Sequence, residues 1–282
     1  MERGVIITPN FTFDGRSLHF PGLVGIEQTS LRHYLLYWDK IEYPNNNIIH
    51  IATSPDEQFL IEKGVLSRTD FTFSGFSGNI GFAYLYMQAA ALEIKNQKQP
   101  GQWSLAQPSA KVYIPQDLAA EARTIEVELY RALPTPGENV SLDDILNFKQ
   151  KRRSELQAFR TVMDELYVEI ADSSDIPRAK SATLLRLEKA IHDLHEAADE
   201  SWINKLISSM KVELNLPSIA TQALAGAGLA TAFGVSPDLG AAIGAVGAAL
   251  KFEFLTQFKS KKLPEELRDY AYLHHIEREL KT

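Results

Sequence analysis

The apolar positions divide the chain near Leu133-Pro134-Thr135-Pro136-Gly137-Glu138-Asn139, where two prolines and a glycine break every periodicity. Upstream, short β-rich runs alternate with helical stretches. Val5–Thr8, Ile48–Ala52 and Phe71–Phe73 read as strands, and Ser30–Trp38 and Ile80–Lys95 as helices. Asp56–Lys63 predicts a short helix that starts at Ser54 or Pro55 and stops at Gly64. Over Ile125–Leu133 the residues Ile125, Val127 and Leu129 alternate with Glu126, Glu128 and Tyr130, the two-residue period of a half-buried strand.

Downstream the period becomes helical. Ser141, with Asp144 three residues on, caps a helix along which Ile145, Phe148, Leu156, Phe159, Met163, Leu166 and Ile170 recur at threes and fours, with Arg152 at the skipped position. After the break at Asp175-Ile176-Pro177 a second stripe follows: Leu184, Leu187, Ile191, Leu194 and Ala198. Two long amphipathic helices with coiled-coil character, packed antiparallel, fit this pattern. Their stripes need cover from the rest of the chain or from a second copy. A last helix is expected over Glu265–Leu280, after Pro264. The expected fold is therefore α+β, with a mixed α/β domain over residues 1–138 and a helical domain over 139–282.

One segment departs from the rest. Between Leu214 and Leu250 the only charged residue is Asp238, and six of the 16 glycines fall there: Gly226, Gly228, Gly234, Gly240, Gly244 and Gly247. Ser236-Pro237-Asp238 suits a helix start, so residues 216–250 read as an Ala/Gly-rich helical hairpin. Small residues let helix backbones approach closely. Three roles stay open: a packed soluble hairpin, an oligomer interface, or a hairpin entering a membrane, the last helped by Lys205, Lys211, Lys251, Lys259, Lys261 and Lys262 on its flanks.

Composition narrows the chemistry. The absence of cysteine removes thiolate metal, redox and thiol-nucleophile sites. A net charge of −7 argues against nucleic-acid binding by bulk electrostatics. The N-terminus lacks a signal-peptide pattern, which points to the cytoplasm.

The glycine-rich run Phe73–Gly81 matches neither a phosphate-binding loop nor a nucleophile elbow. Arg186 and His192, six apart, resemble the Arg…His pair of HEPN-type ribonucleases, which would set a general acid or base beside a phosphorane-stabilising guanidinium. Leu187 stands where that pattern carries a polar residue. His192, His195, Glu196 and Asp199 lack the spacing of a zinc helix, adjacent His274 and His275 point to different faces, and Asp70 with Glu93 and Lys95 is only superficially like a nuclease core. Lys149, Lys151, Arg152 and Arg153 form the one basic cluster that could touch phosphate, although a solvated helix face explains them. No cofactor is expected.

The segments Arg3–Pro9, Leu35–Ile41 and Leu146–Leu156, with the Ala/Gly hairpin, resemble a bacterial family of unknown function. The resemblance implies a phage-defence context and transfers no catalytic residue. The leading expectation is thus a non-enzymatic interaction or assembly protein, acting through helix-mediated self-association or partner docking. A membrane-perturbing effector and a ribonuclease or phosphate-ester enzyme centred on Arg186 and His192 are the alternatives.

Overall fold

A computed structural model describes residues 2–13, 18–20, 25–48, 51–73, 80–107, 130, 133–198 and 265–280. Four short strands form a parallel sheet: β1 (Gly4–Ile6), β4 (Lys40–Glu42), β6 (Leu66–Ser67) and β8 (Trp103–Leu105). Their spatial order is β6-β4-β1-β8, with Gly4 beside both Lys40 and Trp103. Helices α1 (Gln28–Tyr37), α2 (Pro55–Glu62) and α3 (Ile80–Lys98) join successive strands. In strand sequence this is 3-2-1-4, the order of a doubly wound half-sheet. A hairpin, β2 (Thr12–Phe13) with β3 (Leu18–His19), lies between β1 and α1, and β5 (Asn45–Asn46) pairs in parallel with β7 (Asp70–Phe71).

Alternation along β1 fixes the two faces. Val5 and Ile7 join Leu31, Leu35 and Leu36 of α1, whereas Ile6 joins Ala91 and Leu92 of α3 with Trp103 and Leu105. Local signals set the ends of α2. The Ser54 hydroxyl accepts from Glu57 N–H while the Glu57 carboxylate accepts from Ser54 N–H, and Gly64 leaves the helix at φ +68°.

Among the described residues the helical half holds α4 (Leu142–Lys151), α5 (Arg153–Ala171), α6 (Ile176–Ala198), a 3-10 turn at Glu265–Tyr270 and α7 (Ala271–Glu279). The expected first long helix is broken at Arg152, whose backbone (φ −105°, ψ 30°) leaves the helical region. Its guanidinium is drawn to Glu155 and Glu279. The apolar stripes are covered by the chain itself, since Leu267, Tyr272, Leu273 and Ile276 share a core with Phe159, Met163, Leu187 and Ile191. Of the expected strand Ile48–Ala52, the described residues Ile48, Ile51 and Ala52 run as a bend and coil, and the pairing strands are β4 and β5 just upstream. Most of Ile125–Leu133 lies outside the described residues, and Tyr130 has helical backbone.

The same core runs unbroken across position 138, from Val5 and Trp38 to Phe148 and Tyr272. The intervening turn is pinned along α1. Tyr37 OH donates to Pro134 O (2.8 Å), Arg32 Nε to Val140 O (2.8 Å), and His33 Nδ1 sits 2.9 Å from Thr135 Oγ1.

Candidate functional site

Three places on the sheet collect polar groups. At its amino edge, Asp39 Oδ2 accepts from Arg3 N–H (2.9 Å) and from Arg160 Nη1 (2.8 Å), and Lys149 Nζ lies 3.8 Å from Asp39 Oδ1. Lys149 also donates to Trp38 O, and Arg160 Nη2 to Tyr37 O (2.6 Å). Arg3 reaches Tyr130 OH and Asp164. Burial opposes the Asp39 charge, yet the Arg160 hydrogen bond and the cations beside it hold its carboxyl below the usual range. Burial lowers Lys149 to about 7 against the pull of Asp39, and the Arg160 charge adds to the fall. These groups are committed to one another and tie the two halves together. They lie opposite the edge where doubly wound sheets take ligands.

At the carboxyl edge, strand order reverses between β1 and β8, the place where such sheets open a crevice. Here a buried side chain bridges the two strand ends. Gln88 of α3, fully buried, donates to both Ile6 O (3.1 Å) and Ala106 O (2.5 Å), and Gln107 Nε2 donates to Gln88 Oε1 (2.9 Å). The α1 N-terminus, where a dinucleotide phosphate would sit, is capped by the Glu27 carboxylate, which accepts from Ser30 N–H (3.0 Å). A phosphate there would meet a carboxylate already occupying the amides.

The third place is the lateral margin formed by β6 and β7. The carbonyls of Val65, Ser67, Thr69 and Phe71 accept from the N–H groups of Ile41, Tyr43, Asn45 and Asn47 at 2.8, 2.9, 2.9 and 3.3 Å. The Asn47 carboxamide continues the ladder, accepting from Phe73 N–H (2.8 Å) and donating to Phe73 O (3.2 Å). Every odd residue from 65 to 73 therefore faces inward. The main-chain N–H and C=O of Arg68, Asp70 and Thr72 face outward, with no hydrogen-bond partner among the described residues. Asp70 and Thr72 are exposed, while Leu66, at the start of the margin, is buried.

Side chains brace this margin from within. The Arg68 guanidinium lies over the Tyr43 ring (4.6 Å to its centroid) and donates to Ile51 O (2.9 Å). Burial and the nearby Glu57 charge raise the Tyr43 phenol. Glu42, fully buried, accepts from Ser67 Oγ (2.5 Å) and Thr69 N–H (2.6 Å) and pairs with Lys95 (2.6 Å). So Lys95 turns inward, whereas Glu93 accepts from Gln97 on the exposed side of α3. Asp70 accepts from Asn45 Nδ2 (3.0 Å).

The residues singled out in the sequence do not converge. Arg186 is exposed and paired with Glu169, and His192, partly buried, stands six residues further along α6, about 120° around its axis. Of the basic cluster, Lys149 is buried at Asp39, Lys151 and Arg152 both bind Glu279, and Arg153 is exposed with no ion pair among the described residues. No three acidic or histidine side chains among the described residues could hold a metal. The hairpin of residues 216–250, with all six of its glycines, and the side chains of His195 and Glu196 lie outside the described residues. No helix among those described is long and apolar enough to cross a membrane. Of the outward margin the sequence marks only Phe71–Phe73 as a strand, and the further signal it carries is the Thr/Phe-rich run Ser67–Phe73.

Nothing among the curated proteins or the solved structures matches the chain. A family profile does match, over residues 10–281, nearly the whole length. On that match the chain belongs to DUF6236, a family of unknown function.

Proposed function

We propose that the protein is a non-enzymatic interaction protein that engages its partner by strand addition at the β6–β7 margin. The observation that supports this reading is the outward row of Arg68, Asp70 and Thr72, whose backbone donors and acceptors have no partner among the described residues, with Asp70 and Thr72 exposed. An extended segment placed alongside gains main-chain hydrogen bonds at every second residue, with side-chain pockets adding selectivity. Natural edge strands are commonly blunted by outward lysine or proline. This one has no lysine or proline between Val65 and Phe73, and its one basic residue, Arg68, is folded back onto Tyr43. The helical pair is the weaker candidate for the contact, since its apolar stripes are already filled by α7 and the 3-10 turn.

Site-specific photo-crosslinking tests the reading. A benzophenone side chain at Thr72 is expected to yield a discrete protein adduct in cells, and Asp70→Pro, which removes one outward N–H, is expected to abolish it. Absence of any adduct, or an adduct indifferent to Asp70→Pro, would overturn the reading.

A further inference from the structure

We infer that Ser67 is an acceptor for covalent acylation by a thioester, activated by the buried carboxylate of Glu42. The inference goes beyond the interaction reading and does not depend on it.

Glu42 and Ser67 are paired residues on neighbouring strands β4 and β6, so their side chains leave the sheet on one face, where Lys95 of α3 meets them. Ser67 is exposed, and its Oγ donates to Glu42 Oε2 at 2.5 Å. Two further donors fix the carboxylate: Thr69 N–H and Lys95 Nζ, both at 2.6 Å. A nucleophile bonded to a base that a third group orients is the arrangement that activates a serine. Lys95 Nζ also stands 3.4 Å from Ser67 Oγ, which sets a positive charge beside the attacking oxygen. The next main-chain N–H, that of Arg68, faces outward with no partner among the described residues and can donate to the carbonyl oxygen of the incoming acyl group.

Ser67 Oγ attacks the thioester carbonyl carbon while its proton passes to Glu42. The C–O bond forms, the C–S bond breaks, and the departing thiolate takes up that proton. The products are a serine ester and a free thiol, with no oxidation or reduction. A thiolate leaves without prior protonation, which suits a site whose nearest acid, Lys95, is held by Glu42. Water that would cleave the ester has to reach a carboxylate that is 0% exposed, so the ester accumulates and the protein acts once, as an acceptor.

The full chain, incubated with an N-acetylcysteamine acetyl thioester, is expected to gain one acetyl group that peptide mapping places on Ser67 and that Ser67→Ala loses. Glu42→Gln keeps the shape and is expected to slow acylation about a hundredfold or more, the contribution of a positioned general base. That variant leaves Lys95 unpaired, so Glu42→Gln with Lys95→Met removes both charges and serves as the folded comparison by circular dichroism, with the same slowing expected. An unmodified Ser67 in the folded wild type, an acetyl group only on other residues, or a Ser67 rate unchanged in the double variant would overturn the proposal.

Discussion

Asp39 and Arg160 meet at 2.8 Å across the amino edge of the sheet, joining the α1–β4 turn to the middle of α5. Arg160 is 2% exposed, so its charge depends on that carboxylate and on Tyr37 O for compensation. Asp39→Asn keeps the shape and removes the charge. The loss expected is about 3 kcal/mol, the low end for a broken buried pair because a quarter of the Asp39 side chain is exposed. Arg160→Met, which removes the demanding partner instead, should cost less. Urea unfolding of both variants checks the order; equal losses, or a loss for Asp39→Asn below about 1 kcal/mol, would contradict it.

Lys149 gives that edge a pH signature. Folded Lys149 gives up its proton near 7, against an ordinary value of 10.5. Between those values the unfolded chain binds the extra proton, so stability rises with pH through this window; below it both states are protonated and the contribution is flat. Lys149→Met should remove the rise. Relative to this variant, the wild-type melting temperature is expected to climb from pH 7 to about pH 10 and to hold a constant offset at lower pH. An offset unchanged over the whole range would show that Lys149 titrates normally.

Gly4 has a packing reason for lacking a side chain. A Cβ there would fall inside contact distance of the Trp103 ring on the neighbouring strand. Gly4→Ala is expected to cost about 1–3 kcal/mol through overpacking. Trp103→Leu clears the space at its own cost, so the double variant should lose less than the sum of the two. Additive losses in thermal unfolding would remove the ring as the cause.

Elements marked by local chemistry were readable from the sequence. Ser54 and Gly64 bound α2, Ser141 begins α4, and the three-and-four spacing of Leu156 to Ile170 gives α5. The sheet was not, because strands of two or three residues are too short to establish a period, and Lys40-Ile41-Glu42 carries charges at both ends. Glu42 can be buried only because Lys95 and Ser67 arrive from distant positions. The basic run Lys149–Arg153 looked like a solvated face for the same reason, since Asp39 and Glu279 lie over a hundred residues away in opposite directions along the chain. The family resemblance had drawn on segments around Arg3, Asp39 and Lys149, and the fold brings all three to one carboxylate.

That convergence has a temporal side. Asp39 waits 121 residues for Arg160, and Leu36 O waits 236 for the Tyr272 hydroxyl. During synthesis the sheet and α1 leave the ribosome long before the groups that dry their far side. Tyr37 and Trp38, at 0% and 1% exposure in the finished fold, must meanwhile stay wet or be sheltered by a chaperone. The sheet is made before α4–α7 and covered only after them, so a nascent chain stalled before α5 would present an aromatic surface that the mature protein never shows.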